Sequence, residues 1–247
     1  MNIQEIVKER PHLKETLELY DRLTSLKEIE VELDGILPMD VAGYRPDDLI
    51  MVVDRVAEAL GIERAMLEPV EEWLSKGVID LRRLPMGTGF PPEIIFDDEI
   101  LCFLYLISKP YFIAERKRLN LRDMYWTEGR CPVCNSLPSV AFIGKEEKRR
   151  FYCNYCENEG LWQRTGCPHC LSENPERMNI IYLEGEDGIR LDLCEDCRNY
   201  FKSFDYELRA RYNPDLLDLI SLPFDIIAQG KGYCRTSPNP LGMIRMA

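Results

Sequence analysis

The stretch CPVCNSLPSVAFIGKEEKRRFYCNYC (131–156), followed by CPHCLSENPERMNIIYLEGEDGIRLDLCEDC (167–197), decides how this chain is read. It holds four Cys-x-x-Cys pairs: Cys131/Cys134, Cys153/Cys156, Cys167/Cys170 and Cys194/Cys197, eight of the chain's ten cysteines. Two intervening residues let one tight turn aim both sulfurs at a single metal ion, with backbone N–H groups left to hydrogen-bond the thiolates. Two such turns complete a tetrahedral site that suits zinc and iron alike. Four pairs therefore predict two tetrahedral metal ions per chain, each held by four cysteines.

The region reads as a duplication. After Cys134 comes Val140–Ile143, a polar turn over Gly144–Lys148, then Arg149–Tyr152 and the second pair. After Cys170 comes Asn179–Leu183, a turn over Glu184–Gly188, then Ile189–Leu193 and the fourth pair. Each unit is a β-hairpin with one cysteine knuckle before it and one after. Paired strands lie about 4.8 Å apart, so the outer ends of a hairpin bring its flanking knuckles together. This favours sequential pairing, Cys131, Cys134, Cys153 and Cys156 on one ion and Cys167, Cys170, Cys194 and Cys197 on the other; an interleaved cross-brace is the alternative. A third strand follows each unit, over Leu161–Arg164 and over Asn199–Lys202. This is the architecture of rubredoxins and zinc ribbons. The residue after the second cysteine of a knuckle often needs φ > 0, which suits Asn135 but not obviously Glu157, Leu171 or Arg198.

Working outward, residues 1–125 read as a helical domain. Leu13, Leu17, Tyr20, Leu23 and Leu26 recur at helical spacing. Pro46 opens a second helix that Gly61 closes, and Ile62–Lys76 is a third, with Pro69 expected to kink it. MGTGFPPE (86–93) reads as loop. Residues 97–107 are apolar all round and predict a central helix, with Cys102 packed in the core. A last helix runs from about Tyr111 to Arg122. Residues 126–206 are the tandem metal-binding units, and 207–247 return to helix after Asn213-Pro214 and end in an ordered tail. The class is α+β: a helical N-terminal domain, two rubredoxin-like or zinc-ribbon β units and a C-terminal helix.

Of 247 residues, 45% are hydrophobic and 30% charged, the composition of a folded globular protein. No run approaches the roughly 18 apolar residues of a membrane span. The opening MNIQEIVKERPHLKE has no signal-peptide core, which predicts a cytoplasmic location. That compartment is reducing and favours metal ligands over disulfides. The formal charge is −12, and residues 1–125 carry 16 basic and 25 acidic side chains. Nucleic-acid binding, the zinc-ribbon alternative, needs a concentrated basic surface that this balance opposes. Lys148-Arg149-Arg150 reads as a solvated turn, His169 as an exposed turn residue, His12 as a surface side chain, and Cys234 as a half-buried structural thiol. No phosphate loop, nucleophile elbow or open metal site is present, which predicts a binding protein and not an enzyme. A thiol or electron-transfer protein with exposed CxxC pairs is the other alternative.

The run CPVCNSLPSV, then YCNYCENEGLW, CPHC and CEDC, closing on GYCRTSPNP (232–240), resembles the formate dehydrogenase accessory protein FdhE family from Cys131 to Pro240. The N-terminal half resembles that family in helical character alone. The resemblance implies a cytoplasmic assembly factor that binds the formate dehydrogenase catalytic subunit, a protein carrying molybdenum or tungsten and an iron–sulfur cluster. It implies iron at the eight cysteines. It also marks Tyr233, Arg235 and Asn239 of the closing signature, either as partner contacts or as residues that dock the tail. The oligomeric state is left open.

Overall fold

The computed structural model describes residues 3–34, 43–44, 46–88, 97–121, 123–144 and 148–246. Amphipathic patterning produces the first helices. α1 (Ile3–Glu9) buries Ile6, and α2 (Lys14–Thr24) buries Leu17, Tyr20 and Leu23, extended at each end by a 3-10 turn that buries Leu13 or Leu26. A two-residue antiparallel ladder, β1 (Leu33–Asp34) with β2 (Gly43–Tyr44), precedes α3 (Pro46–Leu60). α3 places Val52, Val53 and Val56 in the core and ends at Gly61, which takes the left-handed conformation at φ 71°.

Two expectations in this half need correction. The third helix is not a kinked Ile62–Lys76. Arg64–Leu67 is a 3-10 turn, and Pro69 lies in the first turn of α4 (Glu68–Ser75), where a missing N–H costs nothing. The two helices read on either side of Pro110 are one, α5 (Asp98–Leu119), with Pro110 inside it. Asp97 caps it by accepting from the N–H groups of Glu99 and Ile100, both at 3.0 Å. Phe103 through Ile113 are all buried, and this all-round packing outweighs the roughly 3 kcal/mol that an interior proline costs. Of MGTGFPPE, Met86 closes a 3-10 turn over Leu81–Met86 and Gly87 is left-handed; the part from 89 onward lies outside the described residues.

The two hairpin units merge into one six-stranded sheet, ordered β5-β4-β3-β8-β7-β6. β3 (Val140–Ile143), β4 (Lys148–Tyr152) and β5 (Glu159–Gln163) form the first unit; β6 (Met178–Ile181), β7 (Ile189–Cys194) and β8 (Tyr200–Asp205) form the second. All pairings are antiparallel except the join, where β3 runs parallel to β8 with Val140 opposite Lys202. α6 (Pro214–Ile220) and α7 (Leu222–Gly230) follow, Asn213 capping α6 through the Leu216 N–H at 2.8 Å. Among the described residues, no helix is long and apolar enough to cross a membrane.

Trp126 is fully buried and lies on β5 at Gly160, with its backbone N–H donated to Leu161 O at 2.9 Å. A Cβ at Gly160 would fall 1.9 Å from the indole nitrogen and 2.6 Å from Met124 O. Gly160→Ala should therefore destabilise the fold by about 1–3 kcal/mol, the range for overpacking. A urea midpoint unchanged from wild type would show that the indole can move aside.

Candidate metal centres

The structure gathers the eight paired cysteines into two groups of four, Cys131, Cys134, Cys153 and Cys156, and Cys167, Cys170, Cys194 and Cys197, with the sulfurs of each group within 4.8 Å of one another. The grouping is sequential within each hairpin unit, not interleaved. Each knuckle repeats one turn. In three of them the N–H four residues after the first cysteine returns to that cysteine's carbonyl: Asn135 to Cys131, Glu157 to Cys153 and Arg198 to Cys194, at 2.8–3.0 Å. The first cysteine's own N–H donates to the carbonyl five residues on, as in Cys131 to Ser136, Cys153 to Asn158, Cys167 to Ser172 and Cys194 to Asn199. This closure forces the fifth residue into left-handed backbone: Asn135, Glu157, Leu171 and Arg198 have φ of 62°, 61°, 60° and 56°. The three non-asparagine residues adopt it despite a cost of about 1–2 kcal/mol each.

Tetrahedral bonds of about 2.3 Å imply sulfur–sulfur edges of about 3.75 Å. The second group has Cys167–Cys197 and Cys170–Cys194 edges of 3.7 Å, and the first is tighter, at 3.5 Å for Cys131–Cys156 and 3.3 Å for Cys134–Cys153. The donor set and these edges fit a metal ion held by four thiolates. Backbone N–H groups of His169 and Cys170 point at the Cys167 sulfur, and those of Asp196 and Cys197 at Cys194. The Ser136 hydroxyl lies 3.0 Å from the Cys153 sulfur. Such donors stabilise thiolate charge and, with a metal bound, set ligand basicity.

The surroundings of the two groups differ. The Cys153–Cys156 knuckle is driven into the helical part. The Asn154 carbonyl accepts from Tyr105 OH on α5 at 2.8 Å, and Tyr155 packs edge-on against Tyr105 and Phe112 with ring centres 5.1 and 5.6 Å apart. Glu157 receives Lys27 at 2.8 Å, and Lys27 also reaches Asp215 at 2.5 Å. Burial alone would raise the Asp215 carboxyl, but Lys109 and Lys27, with hydrogen bonds from Lys27 and Tyr152, hold it well below the usual carboxylate range. All four sulfurs of this group belong to buried residues, whereas in the second group Cys170 is exposed and Cys197 half-buried.

Several residues lie elsewhere than the sequence suggested. His169 is half-buried, not exposed. Its Nε2 lies 2.7 Å from Pro138 O, which only accepts, so Nε2 carries the proton; burial pushes the ring down to about 4 and keeps it neutral. Arg149 is no part of a solvated turn. It lies on β4 in the sheet core, 4.8 Å over the Phe201 ring and donating to Arg164 O at 2.5 Å, and burial pushes it down to about 10. It joins the two units, since Phe201 belongs to β8. Cys234 is exposed, not half-buried. Cys102 is half-buried, donating to Leu241 O at 2.9 Å, and burial pushes its thiol up to about 11, as expected of a packing cysteine.

Tyr233, Arg235 and Asn239 are all buried. Tyr233 OH bonds Glu195 while its ring stacks 4.0 Å under the Arg198 guanidinium, beside the fourth knuckle. The Asn239 side chain accepts from the N–H groups of Leu241 and Met243 at 2.9 and 3.0 Å. Arg235 enters a buried cluster that no local sequence pattern signals. It pairs with Asp218 at 2.6 Å and Asp225 at 2.8 Å, and Lys202 pairs with the same two carboxylates at 2.6 and 2.5 Å. All four side chains are fully excluded from solvent. Two cations and two anions leave it neutral, and Tyr200 OH and the Asn154 amide donate to the carboxylates at 2.7 and 2.8 Å.

Comparison with known proteins agrees with this arrangement. Residues 165–241 match the family model of the FdhE C-terminal domain. The chain is 29% identical over 163 residues to an FdhE homolog of Aquifex aeolicus, covering 64% of this chain and 58% of that protein. It is 36% identical over 115 residues to one of Proteus mirabilis, covering 45% of this chain and 37% of that protein. The matches thus span less than two thirds of these relatives' own lengths. The crystal structure of the FdhE protein from Pseudomonas aeruginosa has the same fold, with a TM-score of 0.63 at 20% identity over 94% of this chain and 88% of that one.

Proposed function

Since residues 165–241 match the FdhE C-terminal domain and the chain is similar to FdhE homologs, we propose that it is a member of that family and a cytoplasmic accessory factor for formate dehydrogenase. In this reading it binds the enzyme's catalytic subunit, performs no catalysis of its own and carries two metal ions, iron or zinc, on the eight paired cysteines. The observation that carries the reading is the mounting of two four-cysteine groups on one sheet in an FdhE fold, one group locked to the helices and the other facing solvent. The domain limits 1–125, 126–206 and 207–247 belong to the same proposal. Tyr233, Arg235 and Asn239 serve it indirectly, holding the tail that lines a cavity of about 560 Å³. Leu84, Leu101, Tyr155, Cys234 and Pro238 are among its walls, so it opens between the helical part and the tail, where domain junctions concentrate binding sites.

The test is made in the native host under anaerobic conditions. The catalytic subunit of formate dehydrogenase should co-purify with the tagged chain. Deleting the gene should leave that subunit's level largely intact while abolishing formate oxidation. Unchanged formate oxidation after deletion, with no subunit captured, would leave only a metal-stapled domain.

A further inference from the structure

We propose that the two cysteine groups differ in kind: the second passes its ion to thiolate ligands arriving from solution, and the first does not. The inference rests on both groups holding a metal, as proposed above.

Access separates them. Cys131, Cys134, Cys153 and Cys156 are between 0 and 6% exposed, under a cover that belongs to the helical half of the molecule. Reaching those sulfurs means withdrawing Tyr105 from Asn154 O, unstacking Tyr155 from Tyr105 and Phe112, and parting Lys27 from Glu157. That is a separation of helices from sheet, close to global unfolding in cost. The second group needs no such opening. Cys170 is exposed, and the next residue, Leu171, is exposed as well, so one vertex of the tetrahedron already faces water. The opposite vertices are anchored: Cys167 and Cys194 are buried, and Gly129 lies so close over Pro168 that a Cβ there would meet its carbonyl at 2.2 Å. Three sulfurs can hold the ion while the fourth is replaced.

The step is a ligand substitution. An incoming thiolate forms a bond to the ion, a tetrahedral centre that can expand its coordination, as the bond to the Cys170 sulfur breaks. Cys170 leaves with its electron pair and takes a proton from water; Cys197, Cys194 and Cys167 would then be displaced in the same way by three further thiolates of the acceptor, one bond formed for each bond broken, and the oxidation state of the metal would not change. The acceptor is a cysteine-rich metal-binding segment, because only a thiolate set competes for the ion on equal terms.

The full chain is loaded with zinc and mixed with an unloaded four-cysteine zinc peptide, with metal transfer, circular dichroism and alkylation of cysteines followed together. One ion per chain should leave in a fast phase, and the other should stay or leave at least ~10-fold more slowly. The fast rate should rise with peptide concentration, the far-ultraviolet spectrum should persist through it, and of the eight paired cysteines alkylation should reach Cys167, Cys170, Cys194 and Cys197 alone, with the exposed Cys234 labelled from the start. In Cys170→Ala the second ion, held by three sulfurs, should bind more weakly and leave at least as fast as in wild type, while the first group's ion stays bound. Simultaneous release, alkylation of the first group in the fast phase, or a fast rate independent of peptide overturns the inference while leaving the two-metal reading intact. Fewer than two ions per loaded chain overturns both.

Discussion

Cys153→Ser should not reach the native fold at ordinary temperature, and it is the substitution with the largest expected effect. A structural four-cysteine zinc site is worth on the order of 10–16 kcal/mol, which matches or exceeds the ~5–15 kcal/mol by which a whole domain is stable. Cys153 is fully buried, and its knuckle supplies Asn154, Tyr155 and Glu157, three of the residues through which sheet and helices touch. Losing the ion there would free the knuckle and leave Lys27 without Glu157, together with a Tyr105 hydroxyl lacking its acceptor. The variant should appear as aggregate, or as a soluble chain with one ion at most and no cooperative thermal transition. A folded monomer melting within a few degrees of wild type would show that the first group is not what holds the halves together.

The cysteine spacing made the two groups and their hairpins legible, because CxxC turns and alternating strands are local patterns. What lay between the units was not legible. The parallel join of β3 to β8 pairs residues about sixty positions apart, and neither strand's own sequence names its partner. The αL residues show a similar limit. Propensity argues against Glu157, Leu171 and Arg198 at positive φ, yet the hydrogen bonds that close the knuckles impose it, two at Glu157 and Arg198 and the Cys167 to Ser172 bond at Leu171. Pro110 misled in the other direction: a strong local breaker was overruled by burial on every face of α5. Arg149 looked like surface because it follows Lys148 in a basic run. Strand alternation, applied back from Phe151, would have put Arg149 on the same face as that buried ring.

Replacing Arg235 should be nearly as damaging, for an electrostatic reason. Arg235→Met keeps much of the side chain's volume but leaves Asp218 and Asp225 with Lys202 as their one remaining cation in a site closed to water. Breaking a buried pair by removing one partner costs about 3–5 kcal/mol, far more than the pair's net worth, because an unmatched charge is left behind. The Asp218 carboxyl is raised by burial but held low by Arg235 and Lys202 together, so removing Arg235 should let it take up a proton more readily. For a chain of this size the melting temperature should fall by roughly 6–20 °C. Arg235→Met/Asp218→Asn, which restores neutrality, should recover part of that loss in a double-mutant cycle. The cycle also distinguishes the two roles of the closing signature. If Arg235 acted by touching another protein, Arg235→Met would weaken capture of the partner at unchanged stability, and Asp218→Asn would restore nothing. Stability lost with Arg235→Met and regained with the second substitution places Arg235 in the interior, as the anchor of the tail.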